Sequence, residues 1–171
     1  MDREEIEVWL ERDEAQSRPY RADRLHRLTE ILKIPENGML FFGGRETYQA
    51  FTELRLAYVH GLFMTVVLLV LLLIERHLAG QLYVANIEAA KSMRMEDLIA
   101  EALKNNILTQ NEGVLLNQLR LHRNAYTHFR PPMNRSSSLR RSIELPFDDL
   151  LESDAIACIQ VLSDLVERRH I

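Results

Sequence analysis

The stretch Leu62-Phe63-Met64-Thr65-Val66-Val67-Leu68-Leu69-Val70-Leu71-Leu72-Leu73-Ile74 is apolar at every position except Thr65. Read at about 100° per residue, it leaves no polar face. A helix greasy on all sides in a water-borne chain is buried on all sides, so the run predicts the central helix of a bundle. A membrane span is the rival reading. The run has 13 residues, bounded by His60 and by Glu75-Arg76-His77, and a bilayer needs roughly 18–20. The helix is predicted from Glu46 to Leu78, ended by Gly80, with a second copy of the chain covering its far side.

Outward from that helix, every further element is helical. Met1 to Ala15 predicts a short acidic helix with Ile6, Trp9 and Leu10 on one side. Ser17-Arg18-Pro19 predicts a break. A second helix follows from Tyr20 or Arg21, carries Leu25, Leu28, Ile31 and Leu32, and stops before Pro35. Met39-Leu40-Phe41-Phe42, framed by Asn37-Gly38 and Gly43-Gly44, forms a loop too apolar to leave in water. Past Asn86 and Lys91, Met95 to Asn105 reads as a helix with Leu98, Ile99, Ala102 and Leu103 on one side. Asn111 caps the next, which runs to His128 and is stopped by Pro131-Pro132. After the loop from Phe129 to Pro146, the last helix carries Leu150, Leu151, Ala155, Cys158, Ile159, Leu162 and Leu165 as its apolar stripe. The fold class is all-α, an antiparallel helical bundle, with residues 1–44 as an N-terminal extension and 45–171 as the bundle domain.

Composition agrees. A 47% hydrophobic and 27% charged chain can build an ordinary core, and only six Gly and five Pro interrupt its 171 residues. The single cysteine, Cys158, excludes an internal disulfide and a cysteine-based zinc site, and its apolar setting makes it a small buried hydrophobe. The charged N-terminus lacks the apolar run of a signal peptide, so a cytoplasmic location is expected.

Charge is unevenly placed. The net charge is −4, yet Gly113 to Ile143 holds no Asp or Glu and six arginines. Those arginines are Arg120, Arg123, Arg130, Arg135, Arg140 and Arg141. A focused basic patch on an acidic body suits local phosphate contact. Residues 1 to 16 carry seven acids against two arginines, a composition suited to masking that patch.

On the helix from Asn111 to His128, Leu115, Leu119 and Tyr126 share the predicted core face, with His122 near it. Arg120, Asn124 and His128 fall on one line, and Arg123 and Thr127 on a second beside it. Imidazole moves protons near neutral pH, and guanidinium matches phosphate oxygens. Together they suit cleavage of an RNA phosphodiester without a metal. Arg123 and His128 stand about 140° apart on an ideal helix. They meet at one phosphate only if the long side chains reach round, the helix end unwinds or a second chain supplies one of them. A dimer with two such stripes facing each other solves this. Glu75 and His77, two residues apart, face different directions and make a poor metal pair.

Arg123-Asn124-Ala125-Tyr126-Thr127-His128 resembles the Arg-x4-His motif of the HEPN superfamily. The match includes the polar residue after the arginine and the leucine-rich lead-in Leu119-Arg120-Leu121-His122. The resemblance spans roughly Arg45 to Arg169. It implies a HEPN-like four-helix core, a homodimer with its RNA cleft on the two-fold axis, and a metal-independent endoribonuclease that uses no cofactor. Members of this family often act as toxins restrained by an antitoxin, or as antiviral effectors. By position, Arg123 and His128 are the expected catalytic pair, positioned by Asn124. Arg120, Thr127, Arg130 and Arg135 are the expected RNA contacts. One branch of the family continues the motif as His-x-Tyr, with a tyrosine that a partner modifies. Arg130 stands at that place, so that control is not expected here. A catalytically silent HEPN-like dimer that binds RNA, a nucleotide or a partner protein is the alternative expectation.

Overall fold

A computed structural model describes residues 2–32, 42–127 and 146–167. Among them are six α-helices, one 3-10 turn and no strand. The helices are α1 (Arg3–Ile31), α2 (Gly44–Val59), α3 (Phe63–Val84), α4 (Met95–Lys104), α5 (Gln110–Thr127) and α6 (Phe147–Glu167), and the turn is Glu88–Ser92. The all-α bundle is the fold. Met39 to Phe41, the loop from Phe129 to Leu145 and the basic end Arg168-Arg169-His170 lie outside the described residues.

The apolar run becomes the hub. α3 packs against α2, α4, α5, α6 and the 3-10 turn. It buries Phe63, Val66, Val67, Val70, Leu71, Leu73, Ile74, Leu78 and Leu82. Full burial of each such side chain is worth about 1.5–3 kcal/mol. Met64, Leu68 and Leu72 remain 38–43% exposed along one line, so this chain alone does not cover every face of α3. By length and composition α3 is apolar enough to cross a membrane.

Three boundaries differ from expectation. The helix predicted from Glu46 to Leu78 is two helices, because Gly61 takes φ +75° between them. The Gly61 N–H donates to the Tyr58 carbonyl and the Leu62 N–H to the Ala57 carbonyl, the paired bonds that satisfy the last carbonyls of a helix. α3 and α4 end the same way around Asn86 (φ 66°) and Asn106 (φ 55°), followed by Ile87 and Ile107. Gly80 does not end α3, which continues to Val84. Its bare Cα admits Phe42: a Cβ there would stand 2.3 Å from the Phe42 Cβ.

The third difference is at Pro19. No break occurs, and α1 runs through it as the longest helix among the described residues, at 29 residues. Proline removes one backbone bond and costs about 3 kcal/mol in a helix interior. Polar links span the gap: Arg21 pairs with Glu14 at 2.5 Å, and the Ser17 hydroxyl donates to the Glu14 carbonyl. Asp2 and Glu5 cap the start reciprocally, each side chain accepting from the other's backbone N–H at 2.8–2.9 Å.

Only the C-terminal part of α1 joins the core, through Leu28 and Leu32. It crosses α2 and α6. Arg27 Nη1 donates to Glu152 Oε1 at 2.8 Å, and the Ser163 hydroxyl donates to the Ile31 carbonyl at 3.0 Å. Ile6, Trp9 and Leu10, expected on an apolar side, are 40–54% exposed. Arg76 fixes the start of α2. Its Nη2 donates to the Gly43 carbonyl at 2.6 Å and its Nε to the buried Thr47 hydroxyl at 2.8 Å.

The close approach of Phe42 to Gly80 gives a test. Gly80→Val should push Phe42 out of its seat and lower stability by about 1–3 kcal/mol, the usual cost of overpacking. Urea unfolding followed by circular dichroism reads the change. An unaltered midpoint would mean that Phe42 does not anchor the chain before α2.

Candidate functional site

The motif sits on the last turns of α5, and the way α5 starts and packs sets its orientation. Thr109, not Asn111, is the N-cap. Its backbone N–H donates to Glu112 Oε2 at 2.7 Å, and the Glu112 N–H donates to the Thr109 hydroxyl at 3.3 Å. From there α5 buries Gly113, Leu116 and Leu119 against α3 and α4. Leu115, expected in the core, is 39% exposed, and Val114 and Leu121 also face outward. The core face is turned toward the arginine side, because Leu116 rather than Leu115 is buried.

That rotation changes the surroundings of the motif. Arg120, Arg123, Asn124 and Tyr126 are half-buried rather than ranged on an open stripe, and Thr127 is exposed. His122, expected near the core, is exposed instead. Arg120 reaches across to α4, where its Nη1 lies 3.2 Å from Glu96 Oε2. Its Nε donates to Asn117 Oδ1 at 3.3 Å. The Nε of Arg123 is buried and has no hydrogen-bond acceptor among the described residues. A guanidinium is always charged, so this donor sits ready for an anionic oxygen. The Thr127 hydroxyl turns back to the Arg123 carbonyl at 3.2 Å. His128, Arg130 and Arg135 lie outside the described residues.

Two residues that sequence reasoning passed over hold this helix end in place. The Tyr126 hydroxyl donates to Asp154 of α6, a carboxylate only 8% exposed. Asp154 was visible as an acid set on the apolar stripe of α6, four residues before Cys158. Glu96 carried no such signal, because a pairing across two helices has no local spacing.

Asp154 also acts on its neighbour. Burial, and secondarily the Asp154 charge, push the Cys158 thiol up to about 12, and Cys158 is free and buried. His77 is buried too, with its Nε2 2.8 Å from Gln81 Nε2 and its ring 5.6 Å from that of Phe42. Among the described residues, no three His, Cys, Asp or Glu side chains gather closely enough to hold a metal. A groove of about 620 Å³ opens between α3 and α4, lined by Phe42, Leu72, Tyr83, Met93 and Leu98 among others. None of its lining residues belongs to α5.

Comparison with family models, with curated proteins and with solved structures finds no match.

Two outcomes follow from the contacts around Asp154. Tyr126→Phe should destabilise the fold by about 1.5–3 kcal/mol, as expected for losing a hydrogen bond to a charged group. Chemical denaturation measures it. The Cys158 thiolate forms only as the pH climbs toward 12, so at pH 8 the native chain should not react with an aromatic disulfide reagent, while the urea-unfolded chain should react at once. Fast labelling of the native state would contradict the buried placement of Cys158.

Proposed function

We propose that this chain is a HEPN-type, metal-independent endoribonuclease, cytoplasmic and homodimeric, serving as a toxin or an antiviral effector. The observation that supports the reading is the Arg123-x4-His128 spacing within an acid-free segment. The Arg123 Nε is already withdrawn from water and without an acceptor among the described residues.

The chemistry assigned to these residues is in-line transfer at phosphorus. The His128 imidazole takes the proton from a ribose 2′-hydroxyl, or returns one to the departing 5′-oxygen. The Arg123 guanidinium stabilises the extra charge on the five-coordinate phosphorus. Asn124 donates a hydrogen bond that aligns the phosphate. Arg130, Arg135 and Thr127 hold the flanking backbone of single-stranded RNA. Because an ideal helix sets positions 123 and 128 about 140° apart, a second copy completes the site by supplying one group of each pair. An antitoxin or regulatory protein would restrain such an activity.

A catalytically silent RNA-binding or partner-docking dimer is the second reading. It is favoured by Arg120, which is already engaged by Glu96 and Asn117 and so offers less to a phosphate than its position suggests.

Single-stranded RNA incubated with the purified protein in excess chelator distinguishes the two. The first reading expects cleavage that survives chelation and falls about a hundredfold or more in His128→Ala and in Arg123→Ala, the scale of losing an acid–base or charge-stabilising group. RNA binding with no cleavage by the wild-type chain would establish the second reading in its place.

A further inference from the structure

The face of α3 that this chain leaves uncovered carries both a projection and a hollow. Met64, Leu68 and Leu72 form a ridge whose side chains stay exposed. Ala79 and Tyr83 continue the same face beyond Leu72, at steps of seven and four residues. There the surface sinks into the groove of about 620 Å³, whose walls include Phe42 before α2 and Met93 and Leu98 around the start of α4. Contiguous apolar surface of this kind marks an interaction site, whereas single exposed apolar residues do not.

Charge and spacing say what fits this face. Residues 62 to 74 hold no charged side chain. In a two-fold contact the same patch meets itself, and like charges set face to face are strongly disfavoured. A charge-free stretch of helix is therefore what self-association needs. Ridge and hollow are also evenly placed, because Met64 and Gly80 each stand eight residues from Leu72, about 12 Å along the helix. A two-fold axis beside Leu72 and perpendicular to α3 lays two α3 helices antiparallel. It brings Met64 of each copy level with Ala79 and Gly80 of the other.

We infer that the exposed face of α3 docks a second copy of this chain, antiparallel about Leu72, with the ridge of each copy seated in the groove of the other. The available area is of the right order. From Met64 to Tyr83 the face is about 30 Å long, and with packed elements about 10 Å apart α3 and its flanks make it about 20 Å wide. That footprint of roughly 600 Å² per copy, before the interlocking of ridge and groove adds to it, approaches the about 800 Å² that a stable interface takes from each partner. None of the groove's lining residues belongs to α5. The inference therefore stands on packing alone and does not depend on the ribonuclease reading, which asks for two copies without saying that α3 joins them.

Sedimentation of the intact protein tests it. The wild-type chain should sediment as a dimer, and Leu68→Glu with Leu72→Glu should weaken the association about a hundredfold or more, the scale of losing central anchors from both partners. Both positions are partly exposed, so the double variant should keep its helical circular dichroism. A position on the axis faces its own copy, so Leu72→Cys should form a disulfide-linked dimer on mild oxidation. Tyr48→Cys, on the exposed side of α2, should not, and Cys158 is buried and does not compete. A monomeric wild-type chain would overturn the inference, and one that floats with phospholipid vesicles would give the face to a membrane instead. A dimer that survives the double variant, or that leaves Leu72→Cys uncrosslinked, would overturn it by placing the contact elsewhere. No RNA is present in these measurements, so their outcome is separate from that of the cleavage assay.

Discussion

Burial of α3 is the constraint from which the rest of the architecture follows. A 22-residue helix with hardly a polar position before Glu75 cannot lie on a surface, so the other elements are arranged to cover it. Each covering element spends its own apolar side on that task. α2 supplies Leu54, Ala57 and Tyr58, α4 supplies Leu98 and Ala102, and α6 supplies Ala155, Ile159 and Leu162. What faces outward is then decided by exclusion. On α5, commitment of Leu116 and Leu119 to this core leaves Arg120, Arg123 and Asn124 at the rim of the packed region. Arg123 is half-buried there, with its Nε out of reach of water.

The polar contacts follow the same logic of position. Those that join elements sit at helix ends, where backbone groups lack partners and where two helices diverge. Arg76 holds the start of α2, Ser163 takes the last turn of α1, and Tyr126 secures the last turns of α5 to Asp154. None of them lies in the middle of an interface, where apolar packing suffices. The end of α5 is thereby held between a carboxylate on α6 and an ion pair on α4. That rigidity is what a side chain needs if it is to meet a phosphate in a fixed geometry.

Much of this was legible before any coordinates. Periodicity located most of the helices, the apolar run identified the central one, and most of the stripe of α6 was read, with Leu151 only half-buried and Asp154, Val161, Ser163 and Val166 buried beside it. What escaped has physical causes. Helix breaks depend on backbone dihedrals, and Gly61 is no more conspicuous in the sequence than Gly80. One takes a left-handed turn, while the other makes room for a phenyl ring. Pro19 looked like a stop because local propensity argues for one, yet α1 continues through it. On α5 the apolar residues spread around the cylinder, so Leu115 and Leu116 were equally good candidates for the core, and the choice between them reorients Arg120, Arg123 and His122. The motif itself was legible as a spacing. Its surroundings, Glu96 and Asp154, came from parts of the chain that no local pattern connects to it.

The bond between Ser163 and Ile31 has a consequence for how the molecule comes into being. It joins residues 132 apart, and the Arg27–Glu152 pair joins residues 125 apart. A growing polypeptide emerges from the ribosome N-terminus first, so these two bonds form only after α6 has been made. During that interval α1 has α2 to pack against but not α6. Completion of the fold therefore includes a late closing of α6 upon α1, two helices made far apart in time.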